Sequence, residues 1–136
     1  MDPITPEAAY RVAEFRAALR RFMRTTERNA RSAGLTPQRY LLLLMIKGAA
    51  DGSERSTVTE RAERLQLAQS TVTELVRRAE ENALIERERS PADGRVAYLR
   101  LSAEGERRLA RSFTTNETER RTLAEAFSHL EGKVPS

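Results

Sequence analysis

Apolar residues recur along this chain with the spacing of amphipathic helices. From about residue 5 to residue 33 they repeat every three or four positions, which predicts one long helix with a single apolar stripe. The stripe consists of Val12, Phe15, Leu19 and Phe22. Gly34 stands where a glycine cap commonly ends a helix.

A second helix is predicted from Thr36, as N-cap, to Gly48, with Pro37 at its first position. Four consecutive leucines followed by Met45 and Ile46 leave this helix without a polar face. We therefore expect it to be buried. The next stretch, residues 49–55, has the composition of a loop.

Two further helices are predicted in close succession. The first spans residues 57–65 and opens with a capping box formed by Thr57 and Glu60. Only Gln66-Leu67-Ala68 separates it from the next helix, residues 69–82. So short a connection makes two helices cross steeply, so the second should project from the surface.

A charged β-hairpin is predicted next, over residues 85–101. Two strand-like runs flank Ser90-Pro91-Ala92-Asp93-Gly94, and an Asp-Gly step strongly favours a hairpin turn. Arg87 and Arg89 alternate with glutamates, which predicts a strand with one basic and one acidic face. A projecting helix beside a basic hairpin is typical of DNA-binding proteins.

The last part of the chain is helical in pattern. Ser102 is a predicted N-cap, and the apolar positions that follow form a heptad seam favouring one helix to about residue 131. A break at Thr114-Thr115-Asn116, ending one helix and beginning another, is the alternative. Neither terminal stripe has an evident partner within so small a domain, so we expect both chain ends to pack against a second copy and form a homodimer.

Composition narrows the functional classes. The 136 residues suit a single domain, and the absence of cysteine excludes disulfides and cysteine–zinc sites. A lone histidine, His129, and the lack of a glycine-rich phosphate loop argue against an enzyme, a metal site or a cofactor. No apolar run approaches the ~20 residues of a membrane span and no signal peptide opens the chain, so we expect a soluble cytoplasmic protein without a membrane partner.

Charge alone is weak evidence for a nucleic-acid partner. The net charge is +4, yet residues 53–101 hold nine basic and nine acidic side chains. The excess lies mainly in the first 34 residues. What matters for DNA binding is whether the arginines of residues 77–95 share one face while the acidic residues lie on another.

The segments GLTPQRYLLLLMI, TVTERAERLQLAQSTVTELVRRAEENALIER and DGRVAYLRLSAEG resemble the MarR (multiple-antibiotic-resistance regulator) family over about residues 34–112. The wing pattern of that family matches Asp93, Arg95, Leu99, Leu101, Ser102 and Gly105. The resemblance implies a mainly α fold with a small β-hairpin wing, in one domain spanning 1–136. A winged helix-turn-helix lobe (about 36–101) would be flanked by dimerisation helices (about 1–33 and 103–132). It also implies a homodimeric repressor of a palindromic operator on double-stranded DNA, released by a small, commonly aromatic, effector.

The candidate DNA-binding residues lie on the second helix of the pair and on the wing. On that helix Val72, Leu75, Val76 and Ala79 share one face and should anchor it, leaving the opposite face for the major groove. The candidates are Thr57, Gln69, Ser70, Thr71, Thr73, Glu74, Arg77, Arg78, Arg89, Ser90, Asp93 and Arg95. Arg95 would enter the minor groove, directed by Asp93. The alternative is that Asp93 is a turn residue that only stabilises the hairpin.

Several positions depart from the family pattern. Gln66 replaces the usual turn glycine, and Ala68 the usual hydroxyl N-cap. Ala83 stands where glycine commonly ends the helix, with Asn82 as an alternative for the left-handed conformation. Arg61 falls at an apolar position, and Glu74 at a position where many relatives carry a basic residue.

Glu74 supports two interpretations. It can accept from cytosine, or it can simply pair with Arg77 or Arg78 at helical spacing on a solvated face. The polar changes at Arg61, Ala68 and Glu74 also suit an alternative function, a winged-helix protein-interaction module with little DNA affinity.

The resemblance places an effector site where the dimerisation helices meet the DNA-binding lobe. The candidate residues are Phe15, Phe22, Arg39, Tyr40 and Met45. Apolar walls with one arginine suit an aromatic acid. The alternative is that these are ordinary core residues.

Overall fold

The computed structural model describes residues 2–48, 64–89 and 97–130. Within these ranges the chain forms α1 (Pro6–Ser32), α2 (Pro37–Lys47), α3 (Gln69–Glu81), β1 (Ile85–Arg89), β2 (Ala97–Leu101), α4 (Ala103–Thr115) and α5 (Glu117–His129). Residues 64–65 are also helical. The predicted capping box at Thr57 and Glu60, Arg61 and the hairpin turn lie outside the described residues.

The predicted helix starts are confirmed by their caps. The Thr36 hydroxyl accepts from the Arg39 amide at 3.1 Å, with Pro37 at the first helical position. The Ser102 hydroxyl accepts from the Gly105 amide at 3.0 Å and starts α4. At Ala68 no side chain caps α3, as expected for alanine in place of a hydroxyl residue.

Two helices end on the same backbone motif. After α1, Leu35 N–H donates to the Ala30 carbonyl and Gly34 takes a φ of +80°. After α3, Leu84 N–H donates to the Ala79 carbonyl at 2.9 Å, and the left-handed residue is Ala83, with a φ of 57°. The alternative that Asn82 takes this conformation is therefore wrong. Its φ is −88°, and its side chain instead donates to the Arg78 carbonyl.

The C-terminal seam is not one helix. It breaks at Asn116, which separates α4 from α5, so the alternative with two helices holds. The expectation that the terminal stripes lack a partner within one chain was also wrong, because α1 packs along α5. The Phe15 and Phe127 rings meet edge to face with centroids 6.0 Å apart. Phe127 nevertheless remains 65% exposed.

The core lies between α2, α3, the hairpin and α4. Its members include Leu42, Leu43, Ile46, Val72, Val76, Leu84, Leu99 and Leu109. The expectation that α2 is buried on every side is wrong at Leu41, which is 45% exposed on the opposite face from the core. The strands β1 and β2 form an antiparallel pair in which Ile85 faces Leu101 and Arg87 faces Leu99.

Candidate nucleic-acid interface

The helix α3 presents one apolar and one polar face. Val72, Leu75, Val76 and Ala79 are buried, as the spacing predicted. The opposite face carries Gln69, Ser70, Thr71, Thr73, Glu74, Arg77 and Arg78, all exposed. The short turn before the helix requires a left-handed residue, and Gln66 supplies it with a φ of 55°. These features hold α3 on the core with its hydroxyl-bearing first turns open to solvent.

The second half of that polar face is a dense ion cluster centred on Glu74. Arg77 donates to both of its oxygens, from Nε to Oε2 at 3.0 Å and from Nη2 to Oε1 at 2.5 Å. Arg78 donates to Oε1 from Nε at 3.0 Å. The remaining terminal nitrogen of Arg77 donates to Glu81. Glu74 thus pairs with both arginines, whereas the sequence interpretation considered one or the other.

These contacts fix the ionisation of the cluster. Hydrogen bonds from Arg77 and Arg78 lower the pKa of Glu74 from 4.5 to about 2. The hydrogen bond to Glu74, followed by its charge and that of Glu81, raises the pKa of Arg77. The carboxylate therefore stays ionised at any pH near neutrality.

The hairpin has the two faces that the alternation predicted, and Arg87 on the basic face lies toward α3. Cross-strand partners share a face, so Arg87 lies on the same side as buried Leu99. Its Nε donates to Oε1 of Glu80 on α3 at 2.8 Å. On the outer face, Arg100 donates to Glu86 at 3.1 and 3.2 Å.

The contact between Glu80 and Arg87 was missed by the sequence interpretation. The two residues are seven positions apart and belong to different elements, so no helical or strand spacing connects them. The only available signal was the charge balance of residues 53–101, which showed equal numbers but no pairing.

Five candidate DNA contacts cannot be placed as side chains. Thr57, Ser90, Asp93 and Arg95 lie outside the described residues. Arg89 ends β1, but its side chain is not described. These five stay predictions based on the resemblance.

The candidate effector residues are divided between different surroundings. Phe22 and Tyr40 line a cavity of about 180 Å³ between α1 and α2, together with Met23, Thr26, Glu27, Pro37, Leu41 and Leu44. Phe15 instead packs on Phe127. Arg39 and Met45 are not among the lining residues. The cavity is mainly apolar, and within the described part of the chain no basic side chain lines it.

Metal binding and membrane insertion find no support in the described ranges. No group of three histidine, cysteine, aspartate or glutamate side chains is arranged to hold a metal ion in residues 2–48, 64–89 and 97–130. None of the helices found there has the length and apolar character needed to cross a membrane.

Comparison with known proteins identifies similar sequences and folds. Residues 33–96 match the model of the MarR family. YsmB of Bacillus subtilis, an uncharacterized HTH-type transcriptional regulator, is 29% identical over 132 residues, covering 94% of this chain and 88% of that protein. A MarR mutant of E. coli complexed with operator DNA has a TM-score of 0.69 at 18% identity, covering 85% of this chain and 84% of that one.

A MepR mutant of S. aureus bound to an oligodeoxyribonucleotide is similar to the same degree. Its TM-score is 0.67 at 21% identity, covering 86% of this chain and 83% of that one. At these identities the structural likeness shows the fold, a mainly helical chain with a two-stranded hairpin.

Proposed function

We propose that this chain, whose residues 33–96 match the model of the MarR family, binds double-stranded DNA sequence-specifically and acts as a homodimeric repressor of a palindromic operator. Two solved structures of similar fold contain bound DNA, which supports the proposal. The proposal includes release of the protein from its operator when a small ligand binds.

The observation that carries the proposal is the exposed first half of α3. Ser70, Thr71 and Thr73 are exposed, while Val72 and Val76 on the other side are buried in the core. Hydroxyl groups can donate to or accept from base edges, and threonine methyls can contact the thymine methyl group. This combination suits a helix placed in the major groove.

The wing supplies the second set of contacts in this proposal. Arg95 would enter the narrow minor groove, where the negative potential favours a guanidinium group, and Asp93 would orient it. Arg89 and Ser90 would contact phosphates, as would Thr57 at the start of the preceding helix. These roles rest on the resemblance of the wing segment.

Apolar surface at the ends of the terminal helices supports the homodimer. Tyr10 and Val12 on α1 are 66% and 49% exposed, and Phe127 on α5 is 65% exposed. Large apolar side chains gathered on packed helices are typical of subunit interfaces. A second copy of the chain, related by two-fold symmetry, would bury this apolar surface on both subunits.

For the effector, the cavity at Phe22 and Tyr40 is the best-supported site. Its volume and apolar lining suit a small aromatic molecule. Since Arg39 does not line it, a carboxylate on that molecule finds no partner there within the described part of the chain.

One observation favours the second candidate, a protein-interaction module with little DNA affinity. Arg77, Arg78 and Arg87, the arginines on α3 and β1 whose side chains are described, all pair with glutamates. Paired arginines add less to the attraction of phosphates than free ones do.

Salt dependence separates the two candidates. Affinity of the full chain for a labelled duplex would be measured by fluorescence anisotropy between roughly 50 and 200 mM salt. For a DNA-binding regulator, the logarithm of the binding constant falls linearly with the logarithm of the salt concentration, with a slope near −0.9 per neutralised phosphate. Weak binding with a slope near zero would favour the interaction module.

A further inference from the structure

Glu74 occupies the centre of the surface that α3 presents, and it engages two arginines at once. All three nitrogens of the Arg77 guanidinium donate hydrogen bonds to carboxylates. Two of these bonds go to Glu74 and one goes to Glu81. Arg78 uses its Nε for the same Glu74 carboxylate. The four charges of the cluster sum to zero.

The same donors are the ones that DNA would require. Arginine binds guanine and phosphate through pairs of parallel N–H groups, the geometry that Arg77 here offers to Glu74. A phosphate or a guanine must therefore displace a carboxylate that is already in bidentate contact. Ser70, Thr71 and Thr73 carry no charge, and no carboxylate among the described residues binds them.

We propose that Glu74 is a specificity-determining residue that withholds Arg77 and Arg78 from DNA and thereby suppresses sequence-independent binding. The inference rests on the proposed DNA-binding function. Sequence-independent affinity comes from releasing the cations condensed on phosphates, and an arginine held by a carboxylate releases fewer of them. Discrimination is then left to the short polar side chains of the first turns, whose contacts depend on the base. Glu74 acts through the arginines, so it is a positioning residue.

A direct contact between Glu74 and a base predicts a different result. A carboxylate accepting from cytosine N4 would favour one base at one position of each half-site. Removing its charge would then change that preference, while affinity for random-sequence DNA stayed the same. The two roles are therefore separable by experiment.

The test uses the full chain with Glu74→Gln, which removes the charge but keeps the shape. Glu117→Gln is the matched control because it makes the same charge change at an exposed pair with Arg121 on α5, spaced i,i+4 at 3.1 Å. Dissociation constants would be measured for a random-sequence duplex and for the duplex that the wild type binds best, at several salt concentrations. Circular dichroism would check folding, and Glu74→Ala would replace the glutamine variant if that variant did not fold.

Glu74→Gln should bind the random-sequence duplex on the order of tenfold more tightly, with a salt slope steeper by about one to two ions. The ratio of specific to random affinity should fall by a similar factor, while Glu117→Gln changes each affinity less than about twofold. Unchanged random-sequence affinity, or a gain equal to that of Glu117→Gln, would overturn the proposal. Should the wild type bind no duplex, the proposed function fails, yet Glu74→Gln must still acquire salt-sensitive binding for this inference to stand.

Discussion

Asn29 donates a hydrogen bond from Nδ2 to Oδ1 of Asn116 over 2.6 Å, at the break between α4 and α5. The Asn116 side chain is 1% exposed, and its own Nδ2 lies 3.4 Å from the Tyr40 hydroxyl. It therefore makes no capping bond to α5 and instead joins three elements, α1, α2 and the helix break. Tyr40 also lines the cavity, so this contact connects the cavity wall to the terminal helices.

Asn116→Ala should destabilise the protein by about 1–3 kcal/mol, because it leaves the partly buried Asn29 amide without its acceptor. Chemical denaturation would measure the loss. In a double-mutant cycle with Asn29→Ala, the two losses should be less than additive by about 1 kcal/mol. Additive losses would mean that the two side chains do not stabilise the break together.

Gly105 permits a close contact between α4 and the backbone at Leu84, just after the end of α3. A Cβ atom there would lie 2.1 Å from the Leu84 carbonyl oxygen, which also accepts from the Ser102 amide. Gly105→Ala should thus cost about 3 kcal/mol of stability, because backbone must move. Gly48→Ala is the control: its Cβ would meet the Leu44 oxygen at 3.3 Å, and the change should stay below about 1 kcal/mol.

Ala83 carries the left-handed conformation for which glycine is the usual residue, with a φ of 57°. Ala83→Gly should raise the free energy of unfolding by about 1 kcal/mol, because glycine has no Cβ to strain. Ala110→Gly, at an exposed position within α4, should lower it by about 1 kcal/mol. Thermal unfolding of both variants would measure the two changes in stability. A loss of stability in Ala83→Gly would contradict the left-handed conformation of Ala83.

The Glu74 cluster predicts a pH dependence of stability. The pKa of Glu74 lies at about 2 in the folded chain, against an ordinary value of 4.5, so the folded state favours the ionised form. Its contribution is present above pH 4.5 and is lost as the pH falls toward 2. The stability difference between wild type and Glu74→Gln should accordingly narrow as the pH falls from about 5 to about 3. A difference that stays constant with pH would mean that the ion pairs add nothing.

The elements that the sequence predicted well are those set by local chemistry. Thr36 and Ser102 begin their helices, and the buried face of α3 follows from its spacing. The sequence did not decide between one helix and two at Asn116, because a polar residue in a heptad seam is compatible with a continuous helix. The side chain of Asn116 binds Asn29, which lies 87 positions away along the chain. No periodicity in the sequence reveals that partner.

The candidate site divides in the same way. Which residues of α3 are exposed follows from its period, and Arg77 and Arg78 pair with Glu74 at helical spacing. The pair of Glu80 and Arg87 instead joins two elements, so no spacing along the chain predicts it. The effector prediction depended on packing between helices distant in sequence, and only Phe22 and Tyr40 share the cavity.

The central claim, a two-fold symmetric regulator that binds a defined DNA sequence, is tested most directly by selecting bound duplexes from a random pool with the full chain. The account predicts enrichment of one short sequence present twice in inverted orientation, with centres about one helical turn apart. A pool that remains random after repeated selection, or that yields only single, unpaired sites, would contradict it.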